Sequence, residues 1–118
     1  MEIKRFTTTA KGRSRAVSFD KLVWTVANAK DLSAGFAEQV GEMFAIAAAT
    51  LEEAGSSKRN MLSVQVILSD INDRDEFDRL WNEWLGKDPA HWPQRACIGA
   101  ALAPGLLVEM ITTAHKEH

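Results

Sequence analysis

Residues 60–69 alternate with a period of two. Leu62, Val64, Val66 and Leu68 fall on one side; Ser63, Gln65, Ile67 and Ser69 fall on the other. Side chains of a strand point alternately to opposite faces. This segment is therefore predicted as a strand with one face in a core and one face of mixed character. Any fold containing it has a sheet whose two sides meet different environments.

The covering layer is also readable. Phe36, Val40, Met43, Phe44, Ala47, Leu51 and Ala54 recur at steps of three and four, the mark of a long amphipathic helix. Ser33 is the predicted N-cap, and Gly55 the residue that ends the helix in a left-handed conformation. Asp73-x-x-Glu76 reads as a capping box for a second helix with an apolar stripe of Phe77, Leu80, Trp81 and Trp84, ended by Gly86. Further strands are predicted at 3–8, at 16–19 and 22–27 (a hairpin turned at Asp20-Lys21), and at 95–102 and 106–114. The last two read as a hairpin around Ala103-Pro104-Gly105. The order β-β-β-α-β-α-β-β, with both helices on one face of a mixed sheet, is an α+β sandwich. Two helices leave the other sheet face bare, and a symmetric oligomer packing those faces together covers it.

Composition excludes several functions. The chain has 118 residues, 14 basic against 16 acidic, and a net charge of −2. That balance argues against a nucleic-acid partner. The one basic cluster, Lys11, Arg13 and Arg15, reads as a solvated loop. A single cysteine, Cys97, and three histidines without ligand spacing offer no metal site; His115 and His118 read as a frayed tail. Residues 1–5 lack the apolar core of a signal peptide, and the apolar stretch 43–51 is too short to span a bilayer, so no membrane partner is expected and the cytoplasm is the default location.

The residue that bears on chemistry is Arg95. It opens an otherwise small or apolar run, Ala96-Cys97-Ile98-Gly99-Ala100-Ala101-Leu102, read as a buried strand. A buried arginine needs a partner. It has either a fixed carboxylate or an anion from solution. Strand parity aligns Arg95, Cys97, Gly99 and Ala101, and the expected hairpin adds Glu109 and Ile111 to that face. Glu109 would then lie opposite Gly99, roughly 13 Å from Arg95 at the rise of a strand. The two would frame a space, or Arg95 would pair across a subunit boundary. Arg95 suits a carboxylate held by its planar fork, and Glu109 suits a water to be oriented or deprotonated. Cys97 reads as a small buried hydrophobe, with no base beside it to make it a nucleophile. Trp92 could wall a pocket or simply pack.

Several stretches carry a family resemblance. They are Ser14-Arg15-Ala16-Val17, Glu38-Gln39, Leu51-Glu52-Glu53-Ala54-Gly55-Ser56, and Val66-Ile67-Leu68-Ser69-Asp70-Ile71-Asn72-Asp73. Pro93-Gln94-Arg95-Ala96-Cys97 followed by Val108-Glu109 completes the set. In this order they resemble the Rid family (YjgF-like reactive intermediate deaminases), and its shorter YoaB-like branch in particular. The resemblance implies one Rid-like domain over residues 1–118. It also implies a chorismate-mutase-like homotrimer, with sheets packed inward and clefts between subunits. It further implies hydrolysis of small 2-imino or enamine acids to 2-oxo acids and ammonia without a cofactor. Arg95 would clamp the substrate carboxylate. Cys97 would line the cleft, and Glu109 would help position the attacking water. The alternative is a non-catalytic trimer that binds a small carboxylate or a protein; an endoribonuclease or translation inhibitor, a label some relatives carry, stands behind both. Three features depart from the active members: Val26-Ala27 replaces their Ser-Gly, tyrosine is missing throughout, and Asp78 replaces an asparagine.

Overall fold

The computed structural model describes residues 2–117. In chain order its strands are β1 (Lys4–Phe6), β2 (Ala16–Phe19), β3 (Leu22–Asn28), β4 (Met61–Leu68), β5 (Gln94–Gly99) and β6 (Val108–His115). The helices are α1 (Phe36–Glu53) and α2 (Arg74–Leu85). The element order is the one expected. The six strands form one mixed sheet in the order β1-β2-β3-β6-β4-β5, and both helices contribute to a single core on one face of it. Among the described residues no helix is long and apolar enough to cross a membrane.

Local chemistry explains most boundaries. The β2–β3 hairpin turns at Asp20-Lys21, with Asp20 at φ 53°. Helix α1 ends in a Schellman arrangement. Gly55, at φ +86°, donates to the Glu52 carbonyl, and Ser56 N–H reaches back to the Leu51 carbonyl. Its start differs from expectation: the N-cap is Gly35, and Ser33 instead donates its hydroxyl to Asp31 at 2.6 Å. The capping box of α2 does not form either. A 3-10 turn at Ile71–Asp73 leads directly into the helix, so Asp73 has a near-helical backbone (φ −81°, ψ 2°) rather than the extended one a side-chain cap requires.

Two further corrections concern strands. A register shift between Met61 and Ser63 buries Met61 and turns Leu62 out, 47% exposed, so the strict alternation holds only from Val64 onward. The expected hairpin of the last two strands is absent. β5 runs parallel to β4 at the edge of the sheet, joined to it by the α2 crossover, and β6 inserts antiparallel between β3 and β4. The interior position gives the more apolar β6 two hydrogen-bonding neighbours and leaves β5 as an alternately half-buried and exposed edge strand rather than a buried one. His115 closes β6 opposite Leu22 and is not frayed; His118 lies outside the described residues.

The sheet has one finished face. Val23 and Ala27 of β3, Val64, Val66 and Leu68 of β4, and Val108, Met110 and Ala114 of β6 are buried beneath α1 and α2. Phe44, Phe77, Trp81 and Trp84 form an aromatic cluster between the helices, with Phe44 and Trp84 stacked at 4.3 Å. The opposite face carries Trp24, Val26, Ile111 and Ile98, each large, apolar and exposed.

Candidate functional site

The topology decides which candidate residues can meet. Arg95 stands beside Val64, and Cys97 beside Val66, so both point to the helix-covered side. Glu109 stands between Asn28 and Ile67, on the open side. The shared face expected from a hairpin is therefore not formed. Arg95 and Glu109 of one chain lie on opposite faces of the sheet.

Arg95 has a fixed partner after all. Its Nη2 donates to Asp78 Oδ1 at 2.6 Å, and its guanidinium lies 5.5 Å from the Phe77 ring centroid and 5.3 Å from that of Trp81. One α2 segment thus supplies both the carboxylate and the aromatic wall, because Phe77 and Trp81 face the core one turn apart while Asp78 faces the sheet edge. Arg74 Nε approaches the other Asp78 oxygen, Oδ2, at 4.0 Å. Cys97 is half-buried on the same face; burial pushes its thiol up from the ordinary cysteine value, against the opposing pull of the Arg95 and Arg74 charges. It is a poor nucleophile at neutral pH. Trp92 is 53% exposed, and its indole N–H donates to the Gly86 carbonyl at 3.0 Å.

The second group lies across the sheet. Glu109 Oε1 accepts a hydrogen bond from Asn28 Nδ2 at 3.1 Å. Val26, Ala27, Asn28 and Glu109 also line an open cavity of about 740 Å³ together with Arg15 and with Ile46, Ala49, Thr50 and Glu53 of α1. Arg15 is no solvated loop residue. It donates to the Thr7 carbonyl at 3.0 Å and to Glu53 at 2.9 Å, tying the segment before β2 to α1. The strands lining this cavity, β6 and β3, lie two and three interstrand steps from the β5 edge, roughly 10 and 14 Å.

Sequence reasoning missed three partners. The alternation of β3 could have put Asn28 on the face of Trp24 and Val26, beside the strand bearing Glu109. Asp78 stands out in the sequence as a departure, yet its role as Arg95's partner depends on the crossover, which parity alone does not reveal. The Arg15 anchor carries no local signal, since it joins residues 38 positions apart.

Comparison with known proteins agrees with this fold. A family model described as Endoribonuclease L-PSP matches residues 14–116. A RutC family protein of Haemophilus influenzae is 35% identical over 78 residues, 65% of this chain and 66% of that one. Another, from Pyrococcus abyssi, is 34% identical over 70 residues, 58% of this chain and 53% of its own length. The match thus spans just under two thirds of those relatives or less. A solved YjgF family member from Neisseria meningitidis superposes with a TM-score of 0.88 at 32% identity, covering 100% of this chain and 98% of that one. An uncharacterized protein from Pseudomonas aeruginosa does so with a TM-score of 0.88 at 28% identity, covering 98% and 100%. Fold and sequence agree from β2 through β6, and the chain belongs to the Endoribonuclease L-PSP family, the YjgF and RutC group.

Proposed function

We propose that this protein hydrolyses small 2-imino or enamine acids to 2-oxo acids and ammonia, in the cytoplasm, as a homotrimer with its sites between subunits. The observation that carries the reading is the division of the site. The edge strand bears Arg95, and the open face bears Glu109 beside a cavity, on opposite sides of one sheet. Neither half suffices alone. Packing the exposed apolar face (Trp24, Val26, Ile111) against neighbouring subunits would bring the β5 edge of one protomer to the cavity of the next.

The chemistry asks little of the protein. An imine carbon is already electrophilic. Arg95 holds the substrate carboxylate, and Val26, Ala27 and Cys97 line the space beside it. Glu109, steadied by Asn28, orients a water and takes its proton as oxygen bonds to the imine carbon. Glu109 hands that proton to the nitrogen of the carbinolamine so formed; the new hydroxyl then gives its own proton to Glu109 as the carbon–oxygen double bond forms, the carbon–nitrogen bond breaks and the nitrogen leaves as ammonia. No cofactor enters this scheme.

A second reading has its own support. Val26 and Ala27 offer no hydroxyl to a substrate, and Asp78 already engages Arg95, which favours a non-catalytic module binding a small carboxylate or a protein in the same cleft. RNA cleavage, named in the family's description, finds less support in a net charge of −2. An imine-trapping assay separates the readings. An amino-acid oxidase generates 2-iminopropanoate or 2-iminobutanoate, semicarbazide competes for it, and the protein is compared with Arg95→Ala. The deaminase reading expects the wild type to divert imine to oxo acid, with a loss of about 100-fold or more in the variant, as for removal of a charged positioning contact. Equal trapping with and without protein overturns it.

A further inference from the structure

We infer that Asp78 is a specificity-determining residue that selects ligands carrying a cationic nitrogen next to their carboxylate, a 2-iminio or 2-amino acid zwitterion, over 2-oxo acid anions. The inference rests on the reading of Arg95 as the carboxylate clamp.

An arginine clamp ordinarily presents a net positive charge. Here the guanidinium is already bonded to a carboxylate at 2.6 Å, so the pair is formally neutral. Nη2 is committed to Asp78, while Nε and Nη1 donate to no atom among the described residues and remain for a ligand. The Arg95 side chain is only 18% exposed, against the rings of Phe77 and Trp81. Asp78 is 37% exposed, so water screens this pair only in part. A simple carboxylate placed on the unused edge would sit within a few ångströms of Asp78 and be repelled by it. Arg74 offsets this weakly, since its 4.0 Å approach is at a side chain 58% exposed to solvent.

A zwitterion meets the same pair differently. Its carboxylate faces Arg95, and its nitrogen, on the adjacent carbon, faces Asp78 Oδ2, which accepts no hydrogen bond among the described residues. Two opposite charges on the ligand match two opposite charges on the protein. The protonated imine is also the more electrophilic form, so the residue that selects it favours the reactive species. Once ammonia has left, the product keeps its negative charge and has lost the positive one. Asp78 then favours release.

The test is equilibrium binding by titration calorimetry at pH 7. The ligands are 2-aminobutanoate and 2-oxobutanoate, which share a carbon chain. They are titrated into wild type, Asp78→Asn, Asp78→Ala and Arg95→Ala. The wild type is expected to prefer the amino acid by about tenfold or more, and both Asp78 variants to reverse that order, as removal of one charge from a recognising pair does. Asparagine retains an oxygen for Arg95, and Asp78 is on a partly exposed helix face, so the variants keep the fold. If Arg95→Ala abolishes binding of both ligands while the Asp78 variants keep the wild-type preference, the inference is overturned and the clamp stands. If Arg95→Ala binds both as the wild type does, clamp and inference fall together. Binding of neither ligand to the wild type also overturns the inference.

Discussion

Along β3, Val23, Thr25 and Ala27 are at most 3% exposed, while the alternate residues Trp24 and Val26 are 40% and 46% exposed. Both sets are dominated by residues that strands and cores favour. The difference lies in what covers them. One face has α1 and α2, with Val40, Met43, Phe44 and Phe77 interdigitated against it. The other is covered by nothing among the described residues of its own chain. A period-two segment with polar residues outward would signal a solvated face, but Trp24, Val26, Ile111 and Ile98 are not solvated residues by nature. The comparison teaches that one face is a finished core and that the other, in the trimer proposed above, is half of one.

The largest effect should fall on the finished face. Phe77 is fully buried and touches the rings of both Phe44 and Trp81. Phe77→Ala is expected to cost about 3–5 kcal/mol of folding stability, read from urea unfolding. The matching substitution on the other face, Ile111→Asp, should leave the folded protomer nearly intact and instead lower its oligomeric state in sedimentation. Loss of roughly 1.5–3 kcal/mol of apolar burial per subunit, plus a desolvated charge, drives that change. Should Ile111→Asp unfold the protomer as Phe77→Ala does, or leave sedimentation untouched, the contrast between the faces collapses.

This contrast was legible in part. The helices, their stripes, the β2–β3 turn, the Gly55 and Gly86 helix ends and the bare face all follow from local periodicity and turn chemistry. The pairing of β5 was not legible. A strand, a loop containing Pro-Gly and another strand read equally as a hairpin or as neighbours separated by a third strand, and only the competition for central positions in the sheet decides. That one ambiguity moved Arg95 to the face opposite Glu109 and hid Asp78 from view. Leu62 failed for a smaller reason: a single-residue irregularity reverses strand parity on one side of it.

Smaller effects probe each face singly. Glu109→Gln, which removes the carboxylate beside the cavity, should abolish the imine hydrolysis proposed above. Asn28→Ala, which removes only the donor holding that carboxylate, should lower kcat by about 10-fold with KM little changed, as is usual for a positioning partner. Equal losses would make Asn28 a direct ligand contact. On the finished face, Thr25 and Thr112 stand side by side across β3 and β6, and neither buried hydroxyl has a hydrogen-bond partner among the described residues. Thr112→Val keeps the shape and removes an unpaired polar atom, and is expected to raise stability by about 1 kcal/mol in the same urea assay.

The smallest expected effect concerns a contact between the segment before β2 and α1, Arg15 with Glu53 at the rim of the cavity. Arg15 holds the Glu53 carboxyl below its ordinary value of 4.5, chiefly through the hydrogen bond. A carboxylate whose folded value is depressed stabilises the fold above its unfolded value and loses that contribution as pH falls through the folded one. The pair is open to solvent, so its share is modest and screened by salt. Unfolding midpoints followed from pH 6 to pH 3 should therefore fall more steeply for the wild type than for Glu53→Gln, with the gap opening below about pH 4.5. Parallel curves would mean that the segment before β2 is held by its uncharged bonds, those of Arg15 N–H to the Phe6 carbonyl and of Val26 N–H to the Arg15 carbonyl among them, and that the cavity rim owes nothing to charge.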